Sequence, residues 1–176
     1  DTETPQGIIA VCEMRSKRLD EFLASGKMLL VLDRVTDPGN IGTMLRTADA
    51  AGVGGLLLLQ GCADIYAPKT VRASMGSLFH LPVLSGLSEE LLVQAARKAG
   101  YELLVTCLDG ADNLYKADLQ GRLAFVMGNE ANGVSPALLA AADKRVFIPM
   151  QGRAESLNVA MAAGIVMFEA LRQKLK

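Results

Sequence analysis

Residues 28–52 read MLLVLDRVTDPGNIGTMLRTADAAG, which is an apolar run followed by a polar turn and a helix-like segment. The continuous hydrophobicity of MLLVL predicts a strand buried on both faces, as is typical of parallel sheets. Pro38 pre-sets φ for a turn, and Asn40 is a suitable N-cap for a helix over 41–51. A buried strand that leads through a turn into a helix indicates an α/β domain. Local structure alone gives no reason for the arginine at Arg46.

The same alternation of apolar runs and amphipathic segments continues along the chain and predicts a mostly parallel sheet flanked by helices. The predicted strands are 8–13, 28–32, 54–59, 101–106, 123–127 and 145–148. The predicted helices are 17–24, 41–51, 67–75, 88–99, 136–142 and 156–174. We interpret 8–176 as one domain, and the polar start DTETPQG, residues 1–7, as the remainder of a linker.

Composition narrows the function classes. The chain has 176 residues, 51% of them hydrophobic, and a net charge of −1, so it lacks the global basic signature of a nucleic-acid-binding protein. Its apolar runs are far shorter than the roughly 20 residues that span a bilayer, so no membrane association is expected. Three cysteines without a CxxC pair suggest neither a disulfide framework nor a zinc site. A reducing cytoplasm is the simplest setting.

Several common catalytic motifs are absent from the sequence. It contains no G-x-G-x-x-G after a strand and no G-x-x-x-x-G-K-[ST], which argues against dinucleotide and P-loop phosphate sites. Its single histidine, His80, and the lack of a G-x-S-x-G elbow argue against a Ser/His/Asp hydrolase. No metal site is predicted, because imidazole and thiolate ligands are too few.

Three loops that follow strands contain polar residues that a tight connection does not need. They cover 33–46, 128–136 and 148–160. Because ligands of open α/β sheets bind beyond the carboxyl ends of the strands, these loops are candidate binding segments. A purely structural reading also fits, with Asn40, Ser135 and Ser156 as N-caps and Pro136 at a first helical position.

Taken together, the three loops resemble a known family. The segments DPGNIGTMLRTADAAG, VMGNEANGVS and FIPMQGRAESLNVAMAAGIVMFEALR are similar to the three ordered motifs of the SpoU (TrmH-like) RNA 2′-O-ribose methyltransferases of the SPOUT superfamily. The resemblance covers roughly residues 28–174. It implies a C-terminal trefoil knot in the α/β fold, transfer of a methyl group to a ribose 2′-hydroxyl of ribosomal or transfer RNA, and S-adenosylmethionine as cofactor.

The resemblance also implies site residues. Gly128, Ile148 and Leu157 match cofactor-binding positions, with Thr106 and Met150 as expected neighbours. Among the polar residues of the motifs, Arg46 is expected to act on the 2′-hydroxyl. Since guanidinium is effectively always protonated, holding the phosphate and the 2′-oxygen is the easier task for it.

Further polar residues complete the expected site. Asn40 and Asn158 would orient Arg46 and the ribose, and Glu130 would hold an amide or a cation across the loops. Ser156 is either a helix cap or an RNA contact. Arg15, Arg72 and Arg153 are either phosphate contacts or solvated surface residues.

Two apolar stripes on the helix over 156–174 favour a homodimer. Leu157, Met161 and Phe168 belong to one stripe, and Val159 and Ala163 belong to the other. One stripe would face the sheet and the other a second subunit, although burial within one chain explains the same pattern. The low net charge further predicts a separate N-terminal RNA-binding domain. Two alternatives remain: a non-catalytic RNA-binding module that retains the knot, and a small-molecule enzyme that uses the DPGNIG turn for a phosphate.

Overall fold

The computed structural model describes residues 7–8, 10–14, 17–108 and 110–175. The strands are β1 (Leu29–Leu32), β2 (Gly55–Leu59), β3 (Val83–Leu87), β4 (Glu102–Thr106), β5 (Asp112–Asn113), β6 (Leu123–Met127) and β7 (Lys144–Phe147). They form one sheet in the order β3-β2-β1-β6-β4-β7-β5, in which every paired strand is parallel. The predicted α/β class with a mostly parallel sheet is confirmed.

Helices cover both faces of this sheet. They are α1 (Leu19–Ala24), α2 (Pro38–Ala50), α3 (Pro68–Ser74), α4 (Glu89–Lys98), α5 (Pro136–Ala141) and α6 (Val159–Lys174), with short 3₁₀ turns at Ser77–Phe79 and Leu114–Lys116. Within the described ranges, no helix combines the length and the hydrophobicity needed to cross a bilayer.

The central strands supply side chains to two cores because successive residues of a strand point to opposite faces. On β1, Leu30 and Leu32 face the core that also contains residues of α2 and α6. Leu29 and Val31 face the second core, which is built with α1, α4 and α5. All of β1, β2 and β6 is buried, which explains why their sequences are continuously apolar.

Helix starts differ from the sequence prediction at two loops. The N-cap of α2 is Asp37, whose side chain accepts a hydrogen bond from the backbone N–H of Asn40, and Pro38 occupies the first turn. Asn158, not Ser156, caps α6. The predicted caps at Asn40 and Ser156 were therefore wrong, and both side chains remain available for other contacts. Ser135 and Pro136 do begin α5 as predicted.

Other differences concern weakly patterned segments. No strand is found among the described residues of 8–13, where Val11 is fully exposed and the apolar run pairs with no sheet edge. The sequence analysis did not predict β3 or the two-residue β5, and α6 begins at Val159 rather than at 156. The predicted linker lies mostly outside the described residues, since only Gly7 of 1–7 is described.

The strand order brings the three candidate loops together. β1 lies beside β6, β6 beside β4, and β4 beside β7. Because these strands are parallel, the segments that follow them emerge at the same edge of the sheet. That edge carries the residues predicted from the sequence to form the site.

Candidate functional site

A cavity of about 570 Å³ lies at the carboxyl ends of β4, β6 and β7. Thr106 comes from the end of β4, Gly128 follows β6, and Ile148 follows β7. Met150 and Leu157 line the cavity from the segment that leads to α6. Every residue predicted to contact the cofactor therefore lies on the wall of one cavity, and volumes of this order are typical of ligand sites.

The cavity wall is largely apolar. Met127, Val134 and Val146 are almost fully buried and line its base, and Ile148 packs against the main core. Polar residues line it as well, among them Asn129, Glu130, Ser156 and Asn158. A flat apolar ligand with a polar end suits this combination.

Gly128 is required by a contact within the chain. A Cβ atom added at Gly128 would lie 2.2 Å from the carbonyl carbon of Gly133 and 2.3 Å from the backbone nitrogen of Val134. The same loop is closed by two backbone hydrogen bonds between Asn129 and Gly133, at 3.0 and 2.9 Å. The lack of a side chain at Gly128 is therefore required by the close approach of this loop to itself.

A chain of side-chain hydrogen bonds joins the three motif loops. The Asn158 Nδ2 atom donates to Asn40 Oδ1 at 3.0 Å, and Asn40 Nδ2 donates to Glu130 Oε1 at 3.0 Å. The backbone N–H of Thr36 lies 3.5 Å from Glu130 Oε2. Asn158 Oδ1 also accepts hydrogen bonds from the backbone of Ala160 and Met161. We call Asn40, Glu130 and Asn158 the amide cluster, in which Glu130 holds an amide across the loops as expected.

Opposing effects act on the pKa of Glu130. Burial raises it, but hydrogen bonds donated by the Asn40 side chain and by the backbone N–H groups of Glu130, Thr36 and Asp37 lower it by more. The pKa of Glu130 is therefore below its ordinary value, and the side chain is ionised at neutral pH. An ionised carboxylate only accepts hydrogen bonds, so it fixes the Asn40 amide with its nitrogen toward Glu130.

Asp33 ties the first loop to the second. Its carboxylate is fully buried and accepts hydrogen bonds from Arg34 Nε at 2.8 Å, Arg34 Nη2 at 3.1 Å and the backbone N–H of Ser135 at 2.7 Å. The Arg34 backbone has a positive φ of 53°, and its carbonyl accepts from Asn129 Nδ2 at 2.7 Å. Asp33 was not predicted from the sequence as a site residue. The available signal was a carboxylate that directly ends a run of buried apolar residues.

Arg46 is not part of the amide cluster. It is exposed on α2, does not line the cavity, and has no hydrogen bond or ion pair with the rest of the described chain. It follows Asn40 by six residues, which places it about 9 Å farther along the helix and about 120° around it. Within this chain, Arg46 therefore lies outside both the cavity wall and the amide cluster.

The remaining predicted residues are at the surface. Ser156 is exposed on the cavity wall, and Arg72 and Arg153 are exposed but do not line the cavity. Arg15 lies outside the described residues. His80 is also exposed, with its Nδ1 atom 3.4 Å from Asp49 Oδ2.

A profile of the SpoU rRNA Methylase family matches residues 27–168, which include the cavity and the amide cluster. The chain belongs to the SpoU rRNA methylase family. The suspected resemblance is thereby confirmed. The matched range begins just before β1 and ends inside α6.

Similar proteins support the same assignment. A 23S rRNA (guanosine(2553)-2′-O)-methyltransferase of Bacillus subtilis is 41% identical over 168 residues, which are 96% of this chain and 66% of that protein. A 23S rRNA (uridine(2479)-2′-O)-methyltransferase of Streptomyces viridochromogenes is 41% identical over 179 residues, covering 98% and 62%. The chain thus spans less than two thirds of the length of these relatives.

The fold is also found in a solved structure. The AdoMet-bound rRNA methyltransferase from Sinorhizobium meliloti superposes with a TM-score of 0.85 at 38% identity. The match covers 93% of this chain and 63% of the other chain. The seven-stranded α/β architecture is therefore that of SpoU methyltransferases.

Proposed function

We propose that this chain is the catalytic domain of an S-adenosylmethionine-dependent methyltransferase that modifies a ribose 2′-hydroxyl of ribosomal or transfer RNA. The observation that carries the proposal is the junction of the cavity with the amide cluster, since Glu130 and Asn158 belong to both. Relatives with names that specify 23S rRNA 2′-O-methylation favour ribosomal RNA as the substrate.

The cavity fits the cofactor. Its apolar wall suits an adenine ring, and its polar rim suits the ribose and the amino-acid end. Thr106, Gly128, Ile148, Met150 and Leu157 would hold the cofactor. When bound, S-adenosylmethionine supplies an electrophilic methyl group. A protein of the same fold from Sinorhizobium meliloti has been solved with AdoMet bound.

The amide cluster would position the ribose. Asn40 is held at both ends of its amide, by Glu130 and by Asn158, so its orientation is set before substrate arrives. Such preorganisation lowers the entropic cost of aligning a hydroxyl for transfer. Exposed Ser156 on the cavity wall would contact the RNA.

Arg46 would hold the RNA from outside the cluster. Its guanidinium stays protonated, so we assign it to the phosphate and the 2′-oxygen rather than to proton removal. Because it is exposed and without a partner in the described chain, its planar fork is available to a nucleic acid.

We extend the proposal to the knot. In the strand order β1-β6-β4-β7 only β4 separates β6 from β7, and residues of 148–158 and of the loop that follows β6 line one cavity. A chain end threaded through a loop at this edge is consistent with that arrangement. The fold match at a TM-score of 0.85 to a SpoU-type methyltransferase supports it.

A homodimer through α6 is also proposed. Met161 is 61% exposed and Phe168 is 46% exposed, and both belong to the stripe that begins at Leu157. The second stripe, which includes Ala163, is buried within the chain against the sheet. Exposed apolar stripes of this kind are typical of subunit contacts. Because Ala163 is completely buried, the exposed stripe is the one available to a second subunit.

Two further parts of the proposal concern the whole protein. A separate N-terminal RNA-binding domain would supply the positive charge that this chain, at −1, lacks, and the relatives are considerably longer than the matched region. A cytoplasmic location is supported by the three cysteines, which stand at wide spacings without a CxxC pair, as expected of a protein from a reducing compartment.

The experiment that tests the proposal has two readouts. Calorimetry measures S-adenosylmethionine binding to the purified chain, and mapping of nucleotides protected from alkaline hydrolysis compares RNA from cells with and without the gene. Binding together with loss of one protected ribose in the deletion strain is expected. Binding without any lost protection would favour the non-catalytic RNA-binding module. A folded chain that binds no cofactor would contradict the proposal and favour a small-molecule enzyme.

A further inference from the structure

The cavity carries charge of one sign only. Among the described residues on its wall, the carboxylates are Glu130 and Glu155, and no lysine, arginine or histidine is present. A negative wall in a partly apolar cavity favours ligands that carry positive charge, because the low local dielectric strengthens the attraction. The natural ligand of this cavity should therefore present a cation to it.

The two carboxylates differ in their availability. Glu130 is engaged by Asn40 Nδ2 and by the backbone of Thr36, and it belongs to the amide cluster. Glu155 is exposed and makes no hydrogen bond or ion pair with the described residues of the chain. Glu102 at the surface of β4 is, by contrast, paired with Lys144 at 2.8 Å. Glu155 is thus a free acceptor on the rim of the cavity.

We propose that Glu155 binds the α-ammonium group of the cofactor's amino-acid end, an assignment that rests on the proposed function. S-adenosylmethionine has two cationic centres, the sulfonium and the α-ammonium. Only the ammonium has N–H donors, so only it can form charge-assisted hydrogen bonds with a carboxylate. The sulfonium methyl group has to face the ribose at the amide cluster, which leaves the amino-acid end for the free carboxylate at the rim.

Three adenosine ligands separate the possible contacts. S-adenosylmethionine carries both cations, S-adenosylhomocysteine keeps only the ammonium, and 5′-methylthioadenosine has neither. Calorimetry with the purified chain and the Glu155→Gln variant measures all three dissociation constants. Glu90→Gln is the matched control, since Glu90 is an exposed glutamate on α4 outside the cavity.

The proposal predicts which of the three ligands should bind more weakly to the Glu155→Gln variant. Glu155→Gln should weaken S-adenosylmethionine and S-adenosylhomocysteine alike, by about tenfold, which corresponds to one charged hydrogen bond at a partly solvated site. Binding of 5′-methylthioadenosine should stay within about twofold of wild type. Added salt should weaken S-adenosylmethionine binding to wild type more than to the variant, because exposed charge pairs are screened.

Each contrary pattern has a distinct meaning. Equal weakening of all three ligands would overturn the proposal and make Glu155 a residue that shapes the loop. Loss confined to S-adenosylmethionine would overturn it in favour of a sulfonium contact, and unchanged affinities would exclude any contact. If wild-type protein binds none of the three ligands, the proposed function itself fails, and that result is distinguishable from the others.

Discussion

Asn40 and Asn158 are separated by 118 residues in the chain, yet Asn158 Nδ2 donates a hydrogen bond to Asn40 Oδ1 at 3.0 Å. The same two asparagines take part in the starts of α2 and α6. The Asn40 backbone N–H donates to Asp37, and the Asn158 side chain caps α6. The contact therefore fixes the two helix starts relative to each other at the rim of the cavity.

The first prediction concerns Asn40. Asn40→Ala removes the link between Glu130 and Asn158 but keeps the backbone N–H that Asp37 accepts. We expect the single-turnover rate of RNA methylation to fall by about 100-fold or more, as is typical when a preorganised polar group is lost. Cofactor affinity should change little. Thr43→Ala, an exposed change on the same helix, is the control, and a methylation rate for Asn40→Ala equal to that of the control would refute the assigned role.

The second prediction concerns Arg46. Because its side chain is exposed and unpartnered in the described chain, Arg46→Ala should leave the free energy of unfolding and cofactor affinity unchanged. It should remove most methyl transfer at saturating RNA. Arg46→Lys should restore little activity, since an ammonium keeps the charge but loses the planar fork.

Lys98→Ala on α4 is the matched control for this test, because it also removes a cation from the surface. Methyl transfer by Arg46→Ala at the rate of the Lys98→Ala protein would make Arg46 an ordinary solvated residue.

The third prediction concerns Asp33. Three donors converge on its buried carboxylate, and the amide of Asp33→Asn has only one acceptor oxygen to offer them. We expect a loss of about 2–4 kcal/mol in the free energy of unfolding by urea, from the donors left unpaired. The loop over 128–135 should also shift and weaken cofactor binding.

Glu169→Gln provides the comparison for that result. Glu169 is 7% exposed and is paired with Arg172 at 2.7 Å, in the core rather than at the cavity. This variant should lose stability but keep the wild-type cofactor affinity. If Asp33→Asn and Glu169→Gln bind the cofactor equally well, Asp33 contributes only to the stability of the fold and not to cofactor binding.

The fourth prediction concerns Gly128. Even alanine would place a Cβ atom against the backbone of Gly133 and Val134, so Gly128→Ala should distort the loop, and Gly128→Val should distort it more. We expect cofactor binding to be lost in both, as measured by calorimetry on protein that remains folded by circular dichroism. Gly152→Ala is the control, because nothing lies within 4 Å of its added Cβ. Unimpaired binding by Gly128→Ala would show that the loop can adjust without cost.

The fifth prediction concerns the α6 surface. Met161→Glu and Phe168→Glu place charge on the exposed stripe and should convert a dimer into a folded monomer in sedimentation analysis. Ala163→Glu buries an unpaired carboxylate within the chain and should unfold it instead. A wild-type protein that sediments as a monomer at micromolar concentration would contradict the dimer.

The sequence determined the elements with strong periodic signals. β1, β2 and β6 were predictable because strands buried on both faces must be continuously apolar. β3 was missed because its sequence VLSGL is half exposed and contains serine and glycine, which gives no clear pattern. The described residues of 8–13 form no strand, although one was predicted there, since hydrophobicity alone does not provide a pairing partner.

The sequence also indicated that the loops after the strands share one edge of the sheet, and it supplied most residues of the candidate site. Parallel strands deliver their loops to one edge, so residues from Thr106 to Leu157 were expected together and are found on one cavity wall. The motif resemblance supplied their chemistry and named Asn40, Glu130 and Asn158.

Only the tertiary structure decided the strand order, the buried role of Asp33 and the separation of Arg46 from the amide cluster. Each depends on contacts between residues far apart in the chain, such as Asp33 with Ser135, 102 positions later. Local propensity and periodicity describe a residue's own element, and they do not report which distant group satisfies a buried carboxylate. That partner exists only once the sheet has brought the loops after β1 and β6 side by side.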